Sequence, residues 1–234
     1  MGQKYASFNS SGAVIGYYDS VDSPPPSGAD VIKITNSQWL AAISSPYPVA
    51  VVNGVLVIPT GPTLAQAQTA QKALITQSYN TATDYVPVTI NGTAYQVDNT
   101  AGKQALNLSL AITANAMMQA PAWAASTEYA AGAYCTVGGV ILFCSASGKS
   151  GTASPTPPTT FGVPVTDGTA EWELLGRKVY LQGGSFVYMT PQQIMSAFQQ
   201  GELYLHQMSN QLESLLAQIE AATTVSAVQA IVWP

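Results

Sequence analysis

The stretch TPQQIMSAFQQGELYLHQMSNQLESLLAQIEAA, residues 190–222, carries the clearest periodic signal in the chain. Ile194, Phe198, Gly201, Leu205, Met208, Leu212, Leu215, Ile219 and Ala222 alternate by four and three without a slip. That spacing keeps one helix face apolar and is a coiled-coil pattern, broken only at Gly201. Thr190 stands at the N-cap, Pro191 in the first turn and Gln193 where a capping box needs it, so the helix starts there. The seam needs a packing partner. Flanking charges are few (Glu202, Glu213, Glu220), so pairing rules leave two arrangements open: a bundle with earlier helices of the same chain, or copies of itself in a homo-trimer.

Upstream, two weaker helical patterns precede this one. The first spans about Thr63 to Asn80, with Leu64, Ala67, Gln71, Leu74 and Ser78 as its inward positions. The second spans about Thr100 to Gln119, with Leu106, Leu110, Ala114 and Met117 on one face. Between them, Val86 to Ile90 and Thr93 to Val97 flank Asn91-Gly92 as a hairpin, and just before the long helix Lys178 to Leu181 and Ser185 to Tyr188 flank Gly183-Gly184 as another. At the N-terminus, Tyr5 to Tyr18 alternates around Asn9-Ser10-Ser11-Gly12, and Val31 to Ile34 reads as a strand. A short helix follows from Thr35 to Ile43, with Trp39 inward, and then a hairpin through Asn53-Gly54. The chain from Trp123 to Gly176 is turn and short strand, rich in Gly, Ser, Thr and Pro. The fold class implied is α+β and modular: a small N-terminal β-hairpin and helix module at 1–60, a helix–hairpin–helix at 63–120, an inserted all-β module at 121–177, and a hairpin with the long heptad helix at 178–234.

Composition excludes several functions. With 47% hydrophobic residues the chain can build cores, yet only 8% are charged, so its surface is polar and mostly uncharged. Seven basic residues, scattered from Lys4 to Lys178, form no stripe for phosphates, so nucleic acid is a poor partner. No apolar run is long enough to span a membrane, and the start, Met1-Gly2-Gln3-Lys4-Tyr5, lacks the apolar stretch of a secretory signal. Ala6 stands where myristoylation favours Ser or Thr.

The search for chemistry is as selective. His206 is the single histidine and lies beside a seam leucine, with neither nucleophile nor orienting carboxylate in view. Gly148-Lys149-Ser150 has the ending of a P-loop, but Phe143 replaces its first glycine and no helix follows. Asp167-Gly168 reads as a turn, and Glu171 and Glu173 as a solvated strand face flanking Trp172. Cys135 and Cys144 straddle a Gly138-Gly139 hairpin in which Val137 faces Val140 and Cys135 faces Leu142. Buried thiols and a disulfide both remain open, and no histidine completes a zinc site. The expectation is a protein without catalysis, cofactor or metal. What remains is aromatic: Trp123, Tyr129, Tyr134, Phe143, Phe161 and Trp172 could stack on sugar rings, with Trp123, Tyr129, Tyr134 and Trp172 as the leading candidates for glycan contact.

Trp123, Thr127, Tyr129 and Gly132, then Val137-Gly138-Gly139-Val140, Ser147-Gly148-Lys149-Ser150-Gly151 and Asp167-Gly168-Thr169-Ala170-Glu171-Trp172, resemble the small carbohydrate-binding-like modules of phage tail proteins and chitinases. The flanking parts resemble an uncharacterised domain family of phage tail proteins. They do so through Ile34-Thr35-Asn36-Ser37-Gln38-Trp39, Val52-Asn53-Gly54-Val55-Leu56-Val57, Pro62-Thr63-Leu64-Ala65-Gln66 and Ile219-Glu220-Ala221-Ala222. The resemblance implies a structural component of a phage tail or tail-like particle, associated with tail fibre or baseplate proteins and touching host surface polysaccharide. It implies equally a tail-fibre assembly chaperone. The localisation it implies is the virion tail, after synthesis in the host cytoplasm.

Overall fold

The structure, a computed structural model, describes residues 2–234. Met1, which opens both the Met1-Gly2 motif and the 1–60 module, lies outside the described residues. Helix takes 36% and strand 29%, and the strands are spread over six small sheets, so the chain is a mixed α and β protein with no continuous sheet.

Strands β1 (Lys4–Phe8), β2 (Val14–Asp19) and β3 (Val31–Ile34) form an antiparallel sheet with β1 in the centre. The β1–β2 turn is held by Asn9, whose Oδ1 accepts from the backbone amides of Ser11 and Ala13. Helix α1 (Asn36–Ile43) opens on a full capping box, Thr35 with Gln38, which satisfies two orphan donors of its first turn. Strands β4 (Ala50–Val52) and β5 (Val55–Val57) pair through Asn53 and Gly54, both at positive φ, the conformation an Asn-Gly hairpin turn requires. Ala6, Ile34, Ala42, Val49, Val51 and Leu56 form the local core, with Trp39 packed against it. Asp19 hydrogen-bonds Lys4 and accepts from the amide of Val21. The Lys4 ammonium and that amide hold its carboxyl down at about 2, against an ordinary 3.8.

Helix α2 (Leu64–Thr83) follows, then β6 (Tyr85–Ile90), β7 (Thr93–Asp98) and α3 (Ala101–Met117). On α2 the buried positions differ from the sequence expectation. Leu74 is exposed and Ile75 is buried, because the inner face runs Ala67, Gln71, Ile75, one turn apart, and Leu74 lies about 100° away from it. On α3, Ala114 and Met117 are buried and Leu110 half-buried as their spacing predicts, while Ala111 is buried outside that expectation and Leu106 is exposed.

The next segment holds β8 (Glu128–Tyr129), β9 (Tyr134–Val137), β10 (Val140–Ala146), β11 (Gly148–Lys149), β12 (Val165–Asp167) and β13 (Ala170–Leu174). Four of these form one sheet in the order β12-β13-β10-β9, and β8 pairs with β11. The expected hairpin register is present, with Val137 opposite Val140 and Cys135 opposite Leu142. Then β14 (Arg177–Tyr180) and β15 (Phe186–Met189) pair, and α4 (Pro191–Ala221) and α5 (Val225–Gln229) end the chain.

The chain forms two compact units, Met1–Lys72 with Gln218–Ile231, and Ala73–Ala217 with Val232–Pro234. In the first, α2 grips the end of α4. Gln68 Nε2 donates to the carbonyls of Ile219 and Ala222, Gln71 Nε2 donates to that of Ile231, and Lys72 pairs with Glu220. These amides satisfy carbonyls that a helix end leaves without partners, and Ile219 is fully buried there.

In the second unit the heptad seam meets strands as well as a helix. Ile194 is buried with Val86 and Val88 of β6, Val179 of β14, Met189 of β15 and Ala114 of α3, and Leu205 packs against this cluster. Phe198, Met208, Leu212 and Leu215 are half-buried. The break at Gly201 has a packing cause: a Cβ there would stand 3.3 Å from Val86 Cγ1, so the glycine lets α4 approach β6.

Candidate functional site

The aromatic residues of the β-rich segment 121–177, the expected β-module, divide into a core group and a surface group. Trp172 lies on β13 between Cys144 and Val165 on the neighbouring strands and is fully buried. Its indole N–H donates to Asp167 Oδ2 at 3.1 Å. Trp123 donates to the same oxygen at 2.7 Å, and Gly151 N donates to Oδ1 at 2.8 Å. Tyr129 sets its ring edge-on to Trp172 at 4.8 Å, and its hydroxyl oxygen accepts from Ala124 N. Asp167 is therefore the acceptor that joins the opening loop, the β12–β13 turn and the core indole, and its burial is offset by three hydrogen bonds.

This corrects the expectation for Trp172, which has no free face to offer a sugar. Strand alternation held the signal: Glu171 and Glu173 point to one side, so the tryptophan between them points to the other. Trp123 and Tyr129 are half-buried and their polar ends are engaged inside the module. Tyr134, also half-buried, tilts against Phe143 at 5.9 Å and packs beside Met117, Ile141 and Leu175.

The surface group lies on the other side of β13. Glu173 is opposite Phe143 across the β10–β13 ladder, so the two share a face. Phe161 folds over Gly176, where a Cβ would come within 2.4 Å of the ring. Tyr188 of β15 stands 5.6 Å from Phe161 with the rings at 35°, and remains 43% exposed. Phe143, Phe161, Tyr188, Glu173, Gly176 and Arg177 line a cleft of about 370 Å³. Among the described residues neither Glu173 nor Arg177 takes part in an ion pair. Aromatic walls with a free carboxylate and a free guanidinium fork suit a sugar, whose C–H faces stack and whose hydroxyls both donate and accept. The sequence named Phe143 and Phe161 but not Tyr188 or Arg177, which arrive from the next hairpin and share no periodicity with the module.

The other motifs sit at ordinary strand and helix-surface positions. In Gly148-Lys149-Ser150, Gly148 pairs with Tyr129 across β8–β11, and a Cβ on it would meet the Thr169 carbonyl oxygen at 2.3 Å. Ser150 is buried and its hydroxyl donates to Ala124 O. His206 is exposed and meets Asn210 one turn along α4. Cys135 and Cys144 are free and fully buried. Burial first, then the negative charge of Asp167, pushes the Cys135 thiol up to about 12, and burial raises Cys144. Among the described residues no group of three or more His, Cys, Asp or Glu could hold a metal ion, and no helix is long and apolar enough to cross a membrane.

A second, larger cavity of about 490 Å³ lies between α2, the β6–β7 hairpin, α3 and α4. Val86, Val88, Ile194 and Phe198 make its apolar floor, and Asn99, Asn107 and Glu202 are among its polar lining. Compared with protein-family models, curated proteins and solved structures, the chain matches none.

Proposed function

We propose that this chain is a non-catalytic structural component of a phage tail or tail-like particle, held at the tail fibre or baseplate. In this reading the chain is modular, and the β-module contributes to attachment by contacting host-surface glycan. The observation that carries the glycan assignment is the cleft of Phe143, Phe161 and Tyr188 with Glu173 and Arg177 at its edge. The largely uncharged surface and the resemblance of the β-module and its flanks to phage tail proteins support the tail assignment. A second reading, a tail-fibre assembly chaperone, is favoured by the open apolar cavity beside α4, where a segment of the fibre tip could be held.

Two measurements test this. Quantitative mass spectrometry of purified particles, read against a baseplate protein, finds a fixed ratio near a multiple of three or six if the chain is a component. Absence from particles, with co-purification of the fibre from lysate, overturns that in favour of the chaperone. Binding to an array of host polysaccharides should fall about tenfold or more in Tyr188→Ala and Arg177→Ala, with unfolding transitions kept. Undiminished binding in both variants removes the cleft from the reading.

A further inference from the structure

The cavity between α2, the β6–β7 hairpin, α3 and α4 has a chemical bias that the glycan reading does not use. Its floor is apolar, with Val86, Val88 and Ile194 each at most 5% exposed. Its polar lining includes Tyr79 and Asn80, and near α3 it presents acceptors. Asn99 Nδ2 donates to Thr83 O at 3.1 Å, Gln104 Nε2 to Asn99 O at 3.1 Å, and Asn107 Nδ2 to Asp98 O at 2.9 Å. A backbone carbonyl can only accept, so each of these bonds fixes which way its amide faces. The three side-chain carbonyl oxygens are left without a donor among the described residues, and the Glu202 carboxylate beside them forms no ion pair there. Lys103, the sequence neighbour of Gln104, is placed 3.8 Å over the Tyr180 ring instead.

An apolar floor with three free amide oxygens and one carboxylate in its lining favours an aliphatic stem ending in a cation. The apolar surface continues past the cavity. Leu108 lines it and is 52% exposed, and Ile112, one turn further along the same face of α3, is 63% exposed. A single side chain would leave that area uncovered. We infer that this groove binds a partner polypeptide, seating a Lys or Arg side chain against Asn99, Asn107 and Glu202 while flanking apolar residues of the same segment cover Leu108 and Ile112. The inference stands apart from the glycan cleft and deepens the chaperone reading, which uses the same cavity, and the peptide titration below tests the groove without any fibre present.

The test follows backbone amide shifts of the full chain, at Val88 and Gly201, during titration with three capped tripeptides: leucyl-lysyl-leucine, the same with norleucine in the centre, and the same with glutamate. The lysine peptide should bind saturably, the norleucine peptide about tenfold more weakly, and the glutamate peptide not detectably. Glu202→Gln should bring the lysine peptide down toward the norleucine peptide and leave the latter unchanged. Glu202 is exposed, so this variant should keep its unfolding transition. Equal binding of lysine and norleucine peptides, or no binding of either, overturns the inference. So does hexylammonium binding as tightly as the lysine peptide, since the groove would then be a site for a small amine.

Discussion

The β-module and the core around α4 hold together in opposite ways. In the β-module one buried carboxylate, Asp167, receives two indole N–H groups and a backbone amide, and the surrounding strands are two to seven residues long. Around α4, Val86, Val88, Ile194 and Met189 form an apolar cluster against a helix of 31 residues, with side-chain hydrogen bonds at its rim, between Gln200 and the Thr89 backbone and from Tyr204 to Ala82 O. Short strands bury little area each, so directional bonds must fix their positions. A long helix buries area on every turn, and its packing tolerates a cavity of about 490 Å³ at its side.

That contrast can be broken at its strongest point. Asp167→Ala would strand three donors inside the β-module and should cost on the order of 4 kcal/mol by chemical denaturation. The near-ultraviolet signal of Trp172 should be lost with it. A cost below about 1 kcal/mol would mean that the bonds around Asp167 are incidental to the packing. On the apolar side, Ile194→Ala should cost about 2 kcal/mol, the low end for such a truncation, because the adjoining cavity leaves neighbours room to relax. A value near 5 kcal/mol would show that this core is as tightly specified as the module.

Near neutral pH the smallest effect concerns protons. The Cys135 thiol is raised to about 12 in the folded chain against an ordinary 9.0. Between those values the unfolded chain gives up the proton and the folded chain keeps it, so stability from this group falls as pH rises from about 9 toward 12. Cys135→Ala should flatten that part of a stability-against-pH curve, and neither thiol should react with a maleimide at pH 8 before unfolding. Labelling of the native chain would place the sulfurs nearer solvent than their burial implies.

Local signals were legible where they were self-contained. The capping box at Thr190, the Asn53-Gly54 and Asn91-Gly92 turns, and the Cys135–Leu142 register all follow from residues a few positions apart. Legibility failed where one element is read by another far along the chain. Whether Leu74 or Ile75 faces inward is settled by what α2 packs against, which the weak α2 periodicity does not encode. Gly201 looked like a defect in a heptad and is a contact with β6. The cleft needed Tyr188 and Arg177 from a hairpin outside the aromatic module, and only the fold brings them to Phe143.

The grip of Gln68, Gln71 and Lys72 on the last turns of the chain bears on how the molecule is made. The N-terminal unit draws on Gln218–Ile231, so during synthesis its sheet and α1 are on hand long before the segment that completes it emerges. Residues Ala73–Ala217 leave the ribosome before Gln218–Ile231 and can condense while the N-terminal strands wait. Closure then spans about 150 residues, and slow, late completion is the kinetic signature of contacts that far apart.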